Sequence, residues 1–205
     1  KRKRLDYRYY DKECQMILFS RTDVTNVYLE EQKKSQRMEE LLLKAQTDPL
    51  TKICNFQATF DAISEKLTDT DDNYAFCFVD LDNFKQINDT FGHQYGDQVL
   101  REVADVLKKT FRRDDILGRL GGDEFVFLLR SVPNFQVMEP IFEKLCRQLQ
   151  KTYTKDGKSV TISASLGAAC APGQGSTFTE LYSKSDQALY EVKNQLKNGY
   201  RLYGN

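Results

Sequence analysis

Ile116-Leu117-Gly118-Arg119-Leu120-Gly121-Gly122-Asp123-Glu124-Phe125-Val126-Phe127-Leu128-Leu129 reads as a β-hairpin. Glycine takes positive φ without a Cβ clash, so Gly121-Gly122 suits the tight primed turns that match strand twist, and the apolar runs on either side supply the arms. Asp123 and Glu124 then stand at or beside a rigid tip. A surface turn solubilised by two acids is the plain alternative.

A second stretch, Asn73 to Lys85, speaks against that alternative. Its apolar run is too short to span a membrane and reads as a buried strand ending in acids. Such a strand delivers Asp80 to its C-terminal end, where a solvated strand end carrying Asp80 and Asp82 is the ordinary reading. Beside a hairpin tip bearing Asp123, however, it offers two hard oxygen ligands to one Mg²⁺, an ion that takes its remaining ligands from water and substrate phosphates. That is an arrangement for phosphoryl transfer.

Further blocks fall in order around these two: Thr47-Asp48-Pro49-Leu50-Thr51, Asp80-Leu81-Asp82-Asn83-Phe84-Lys85-Gln86-Ile87-Asn88-Asp89, Phe91-Gly92-His93-Gln94-Tyr95-Gly96-Asp97, Ser185-Asp186-Gln187-Ala188-Leu189-Tyr190, and Lys193. With Gly121 to Phe125 they resemble the GGDEF domains of bacterial diguanylate cyclases. The resemblance implies a nucleotidyl cyclase-like α/β fold, a palm-like mixed and partly antiparallel sheet flanked by helices. It also implies condensation of two GTP molecules into cyclic di-GMP, each 3′-hydroxyl attacking the other's α-phosphate with loss of pyrophosphate.

Residue by residue, the same resemblance implies Mg²⁺ or Mn²⁺ held by the Asp80 and Asp123 side chains and the Leu81 carbonyl, with Asp123 or Glu124 as proton acceptor. Substrate contacts are implied for Gly122, for N–H groups of the Asn83-Phe84-Lys85 loop around the β- and γ-phosphates, and for the cations Lys85, Lys193 and Lys197. Asn88 and Asp97 match the guanine readers, an Asp accepting from guanine N1 and N2, and His93 is structural or base-adjacent. Asp97 also has a capping reading, since it opens an expected helix. Arg112 and Asp115 match the family's R-x-x-D motif for an inhibitory product site; a charged helix terminus is the alternative. Two departures stand out: Asn55-Phe56 where the family has Asn-Arg, and Leu196-Lys197-Asn198 where it has Gly-Arg-Asn, so Lys197 keeps a charge and loses the bidentate fork.

Composition fits this picture. With 40% hydrophobic and 29% charged residues the chain is that of a soluble globular protein, and 30 basic against 30 acidic side chains leave no global field for nucleic acid. Five cysteines without C-x-x-C spacing read as reduced thiols of a cytoplasmic protein, and the lone His93 rules out His-rich metal sites. No stretch approaches a transmembrane helix, and Lys1 to Arg4 lacks the apolar core of a signal peptide.

The chain divides into residues 1–25, 26–46 and 47–205. The first segment reads as a hairpin, Leu5 to Tyr10 and Gln15 to Arg21 around Asp11-Lys12-Glu13, whose exit Arg21-Thr22-Asp23-Val24-Thr25 resembles the end of an upstream PAS sensor domain. Val27 to Ala45 is a connector helix with an apolar stripe of Met38, Leu41, Leu42 and Ala45, ended by Asp48-Pro49. The spacing then predicts helices over Gln57–Leu67, Asp97–Phe111, Met138–Gln150 and Thr179–Gln195, and strands at Tyr74, Val160–Cys170 and Tyr200–Tyr203. Because one such site holds one GTP, the implied assembly is a homodimer. A calcium loop fails, with Lys85 in place of the required Gly and Phe91 in place of Glu, and no P-loop is present. The runner-up is a silent GGDEF module that binds GTP or cyclic di-GMP and signals by contact.

Overall fold

Two separate units make up the residues that the computed structural model describes, 3–11, 16–69, 71–132, 134–195 and 197–204: Lys1–Ala45 and Gln46–Asn205. In the first, strands β1 (Lys3–Asp11) and β2 (Met16–Asp23) pair antiparallel and lead into helix α1 (Thr25–Gln46). The turn expected around Asp11-Lys12-Glu13 falls on Lys12, Glu13, Cys14 and Gln15, which lie outside the described residues, as do Lys1, Arg2, Thr70, Pro133, Leu196 and Asn205. No residue of α1 is buried, and Met38, Leu41 and Leu42 of its stripe are exposed. The helix stops just ahead of Asp48-Pro49, where proline disfavours helical geometry in the residue before it.

The second unit runs α2 (Phe56–Lys66), β3 (Tyr74–Asp82), α3 (Phe84–Phe91), α4 (His93–Thr110), β4 (Ile116–Gly121) and β5 (Glu124–Arg130). A 3₁₀ turn at Phe135–Val137 follows, then α5 (Glu139–Leu149), β6 (Lys151–Lys155), β7 (Lys158–Ala171), α6 (Phe178–Gln195) and β8 (Tyr200–Leu202). The strands form one sheet in the order β4-β5-β3-β7-β6, all antiparallel, with β8 added parallel to β7. This is the expected mixed α/β sheet flanked by helices.

Period-two alternation along β3 decides which residue faces which layer. Ala75, Cys77, Val79 and Leu81 enter one core with Phe125 and Phe127 of β5, Leu107 of α4 and Phe142 of α5. Tyr74, Phe76 and Phe78 enter the other, with Val126 and Leu128, Ile63 of α2 and Leu189 of α6. A strand covered on both faces reads as a continuous apolar run, and each large side chain so buried contributes about 1.5–3 kcal/mol. By the same alternation Asp80, Asp82 and, on β5, Glu124 belong to the α2 and α6 side. The approach of α6 depends on Gly167 of β7: a Cβ there would stand 2.0 Å from the Ser185 carbonyl oxygen and 2.3 Å from the Leu189 nitrogen.

Three local expectations need correction. The stretch after β3 is not a loop but helix α3, with Phe84 and Ile87 buried. Helix α4 begins at His93, so Asp97 lies in its second turn and does not cap it; the N-cap is Gly92, at φ 87°. Strand β6 occupies the gap left between α5 and β7, joined to β7 through Asp156-Gly157. Among the described residues the four cysteines are free; Cys77 and Cys146 are buried, Cys54 and Cys170 half-buried, and Cys14 lies outside. Among the described residues, no helix is long and apolar enough to cross a membrane.

Candidate active site

The hairpin tip is shifted by one residue from the expected Gly121-Gly122 turn. Gly121 pairs with Glu124, so Gly122 and Asp123 are its two central residues, and only Gly122, at φ 50°, takes the left-handed conformation there. Two interactions fix the tip. The Arg119 guanidinium donates through Nε (3.0 Å) and an Nη (2.7 Å) to the Gly122 carbonyl, and the Leu81 N–H donates to the Asp123 carbonyl at 3.3 Å. Arg119 also grips both carboxylate oxygens of Asp48, at 3.1 and 3.2 Å. Asp48 in turn accepts from the N–H and hydroxyl of Thr51. Burial alone would raise the Asp48 carboxyl; the Thr51 and Arg119 hydrogen bonds hold it below its ordinary value. The Thr47 to Thr51 block thus acts as a bracket on the hairpin.

At the tip the sheet sets like charges against one another. Asp80 and Glu124 are direct cross-strand partners, with Asp123 adjoining. Opposed like charges destabilise a strand pair. Burial pushes the Asp80 carboxyl up, Lys193 pulls it down, and Asp123 and Asp82 push it up again. Glu124 is raised too, first by burial, then by Asp80 and Asp123. The relief comes from α6, whose Lys193 ammonium lies 2.7 Å from the Asp80 carboxylate. A cavity of about 510 Å³ borders these groups, lined also by Phe78, Asp186 and Tyr190.

A cation already sits on Asp80, which shows that the acid pair suits positive charge. Among the described residues no group of three or more His, Cys, Asp or Glu side chains is gathered to hold a metal alone. The donor set is the one Mg²⁺ uses when substrate phosphates complete its shell: one or two carboxylates at a strand end.

The other sequence-selected residues fall into three places. Asn83, at φ 64°, precedes the first turn of α3, where backbone N–H groups have no intrahelical partner. Its carboxamide accepts from Lys197 at 3.4 Å and donates to the Thr161 carbonyl at 3.2 Å. Phe84 is buried, so only its backbone is available to a ligand, whereas Lys85 is exposed. Asn88 packs against α4 at Gly96, the residue before Asp97: a Cβ on Gly96 would stand 2.0 Å from Asn88 Oδ1, so the missing side chain admits the amide there. His93 is exposed at the start of α4.

Arg112 and Asp115 lie at the opposite end of β4, roughly 17 Å of strand from the tip. The Asp115 carboxylate accepts the N–H groups of Arg112 (2.8 Å) and Arg130 (3.4 Å), and Arg112 and Asp115 border a cavity of about 380 Å³ with Lys52, Lys108 and Phe111.

The plain alternative of a solvated strand end fails for Asp82, and one contact was not anticipated. Asp82 is not a solvated strand end: it is 3% exposed and accepts from Ser163 and Ser165 hydroxyls and the Asn198 N–H. The Arg119 bracket also went unread, although Arg119 lies inside the quoted hairpin; nothing in its spacing announces a partner 71 positions away.

Comparison with known proteins agrees with this architecture. A family model described as the GGDEF domain of diguanylate cyclases matches residues 45–199. The bifunctional diguanylate cyclase/cyclic di-GMP phosphodiesterase MucR of Pseudomonas aeruginosa is 39% identical over 168 residues, 80% of this chain and 24% of MucR. Diguanylate cyclase TpbB of the same organism is 34% identical over 164 residues, 78% of this chain and 38% of TpbB. The GGDEF domain of TpbB in a solved structure aligns with TM-score 0.71 at 32% identity, covering 77% of this chain and 94% of that one. The coiled coil and GGDEF domain of DgcB from Caulobacter crescentus, in complex with cyclic di-GMP, aligns with TM-score 0.77 at 24% identity over 87% of this chain and 96% of that one, a likeness of fold. This chain thus spans well under half the length of either curated relative.

Proposed function

Because this chain belongs to the GGDEF domain family, we propose that it condenses two GTP molecules into cyclic di-GMP with release of two pyrophosphates. The observation that carries the reading is the charge arrangement at the tip: Asp80 opposed to Glu124, Asp123 adjoining, and Lys193 standing on Asp80. Clustered acids that the fold itself compensates only in part are typical of a site completed by its ligands.

On this reading Asp80, Asp123 and the Leu81 carbonyl hold Mg²⁺ or Mn²⁺, which when bound neutralises charge on the phosphate oxygens. The first turn of α3 and the cations Lys85, Lys193 and Lys197 receive the triphosphate, with Gly122 lying against the nucleotide. Asn88 and Asp97 take the guanine edge, and the Asp carboxylate favours GTP over ATP because adenine lacks the N1–H and N2–H donors. Asp123 or Glu124 accepts the 3′-hydroxyl proton; the raised Glu124 carboxyl is nearer to holding one. Two such sites must face each other to close the ring, so turnover requires a homodimer, with α1 tuning the encounter for an upstream sensor. Cyclic di-GMP bound at Arg112 and Asp115 would act away from the tip, as an inhibitor.

A second reading, a silent module, is favoured by one relative: PdeR of Escherichia coli, described as a cyclic di-GMP phosphodiesterase, is 33% identical over 86% of this chain. Pyrophosphate release from GTP and Mg²⁺ separates the two. Stoichiometric release with cyclic di-GMP as product supports the cyclase, and GTP binding without release supports the silent module.

A further inference from the structure

The segment linking α6 to β8 holds two successive left-handed residues that are not glycine, Lys197 at φ 54° and Asn198 at φ 46°. Such backbone costs about 1–3 kcal/mol per residue and persists only where its surroundings over-determine it. The Asn198 carboxamide oxygen does not hold it, being buried without a hydrogen-bond partner among the described residues. The backbone does: the Asn198 N–H donates to Asp82 Oδ2 at 3.1 Å, and the Lys197 N–H to the Val192 carbonyl at 3.2 Å. Asp82 is itself locked by the Ser163 hydroxyl at 2.6 Å and the Ser165 hydroxyl at 2.9 and 3.1 Å. The product of this chain of contacts is the placement of one cation, Lys197, 3.4 Å from Asn83 Oδ1 at the start of α3.

We propose that Asp82 is a positioning residue for the triphosphate: by gripping the Asn198 N–H it holds the left-handed pair that presents Lys197 to the first turn of α3. The inference rests on the reading that this turn receives phosphates. It gives a buried carboxylate outside the reacting centre a role in substrate affinity, exerted through a lysine it does not touch. It also explains how a lysine, with a long and flexible stem, serves where a rigid guanidinium fork would need less help.

The test is a double-variant cycle on GTP binding, by calorimetry with a non-hydrolysable GTP analogue and Mg²⁺, alongside KM and kcat. Lys197→Ala should weaken analogue binding and raise KM about tenfold, the weight of one charge-assisted contact. Asp82→Asn should do nearly the same with kcat changed far less. The two together should give about tenfold again, because the second change finds the lysine already misplaced. A hundredfold effect of the pair, or an Asp82→Asn variant that binds the analogue normally, overturns the proposal. Should Asp82→Asn fail to fold, Ser165→Ala, which loosens the same carboxylate, replaces it with a smaller expected shift of two- to threefold and the same non-additivity criterion. If the unaltered chain binds the analogue but makes no cyclic di-GMP, the cyclase reading fails while the cycle still decides the role of Asp82.

Discussion

Asp82 is 3% exposed and takes hydrogen bonds from two hydroxyls and a backbone N–H, whereas Asp80, two residues earlier on the same face of β3, confronts Glu124 across the strand pair and is met by the Lys193 ammonium. Identical side chains on one strand end therefore divide the work. A buried carboxylate saturated by neutral donors is part of the fold, since removing it strands every donor it served. One left among like charges, with a single lysine to offset them, weakens the apo fold and gains from the further positive charge that ligand binding brings.

The widest separation is expected in activity. Asp80→Asn and Asp123→Asn should each lower cyclic di-GMP synthesis by roughly a thousandfold or more, the scale of losing a principal electrostatic contact in the transition state, with little change in the thermal midpoint. Near-normal synthesis in either variant would remove the metal assignment. Asp82→Ala should do the reverse to the fold, destabilising it by about 2–4 kcal/mol as Ser163, Ser165 and the Asn198 N–H lose their acceptor. Urea unfolding measures it, and a loss under half a kcal/mol would mean that water replaces the carboxylate.

Gly167→Ala sharpens the contrast from the side of α6. The added methyl meets main-chain atoms of the helix, so α6 must move outward at a cost of about 1–3 kcal/mol. Lys193 would move with it, raising KM for GTP beyond what the stability loss explains; an unchanged KM would show that Lys193 acts only in the apo state. The smallest effect concerns Glu124→Gln. The Glu124 carboxyl is raised in the folded protein, so its ionised form opposes folding. That penalty is full at neutral pH, shrinks as pH falls through the raised folded value, and stops changing below the ordinary value of 4.5. Metal-free Glu124→Gln should therefore be slightly more stable than the parent at pH 7, by roughly half a kcal/mol after solvent screening, and equal to it near pH 4. Equal melting at both pH values would contradict the repulsion.

Legibility in the sequence followed range. The hairpin and β3 were readable because their signals are local: a glycine turn, alternation, and an apolar run closed by acids. Helix α3 was missed among the acids, though Phe84, Ile87 and Phe91 at three- and four-residue steps were available to mark it. Strand β6 was missed although Asp156-Gly157 is a hairpin turn signal, because its alternation of Lys, Thr and Tyr offers one buried residue, Tyr153. The start of α4 was misplaced since its first turn, His93 to Gly96, is polar and carries a glycine that helices disfavour. What no local pattern could show was pairing at a distance: Asp82 with Ser163, Ser165 and Asn198, and Arg119 with Asp48.

Strand β3 is paired along both edges and buried on both faces, so it also works as a ruler. An insertion or deletion of one residue between Tyr74 and Val79 would turn Asp80 and Asp82 toward the α4 and α5 core and bring apolar neighbours to the α6 face. A two-residue change would restore the faces but slide the acids by about 6–7 Å past the hairpin tip. Length variation among such domains should therefore collect in turns such as Asp156-Gly157, while the count of residues from Tyr74 to Asp80 stays fixed.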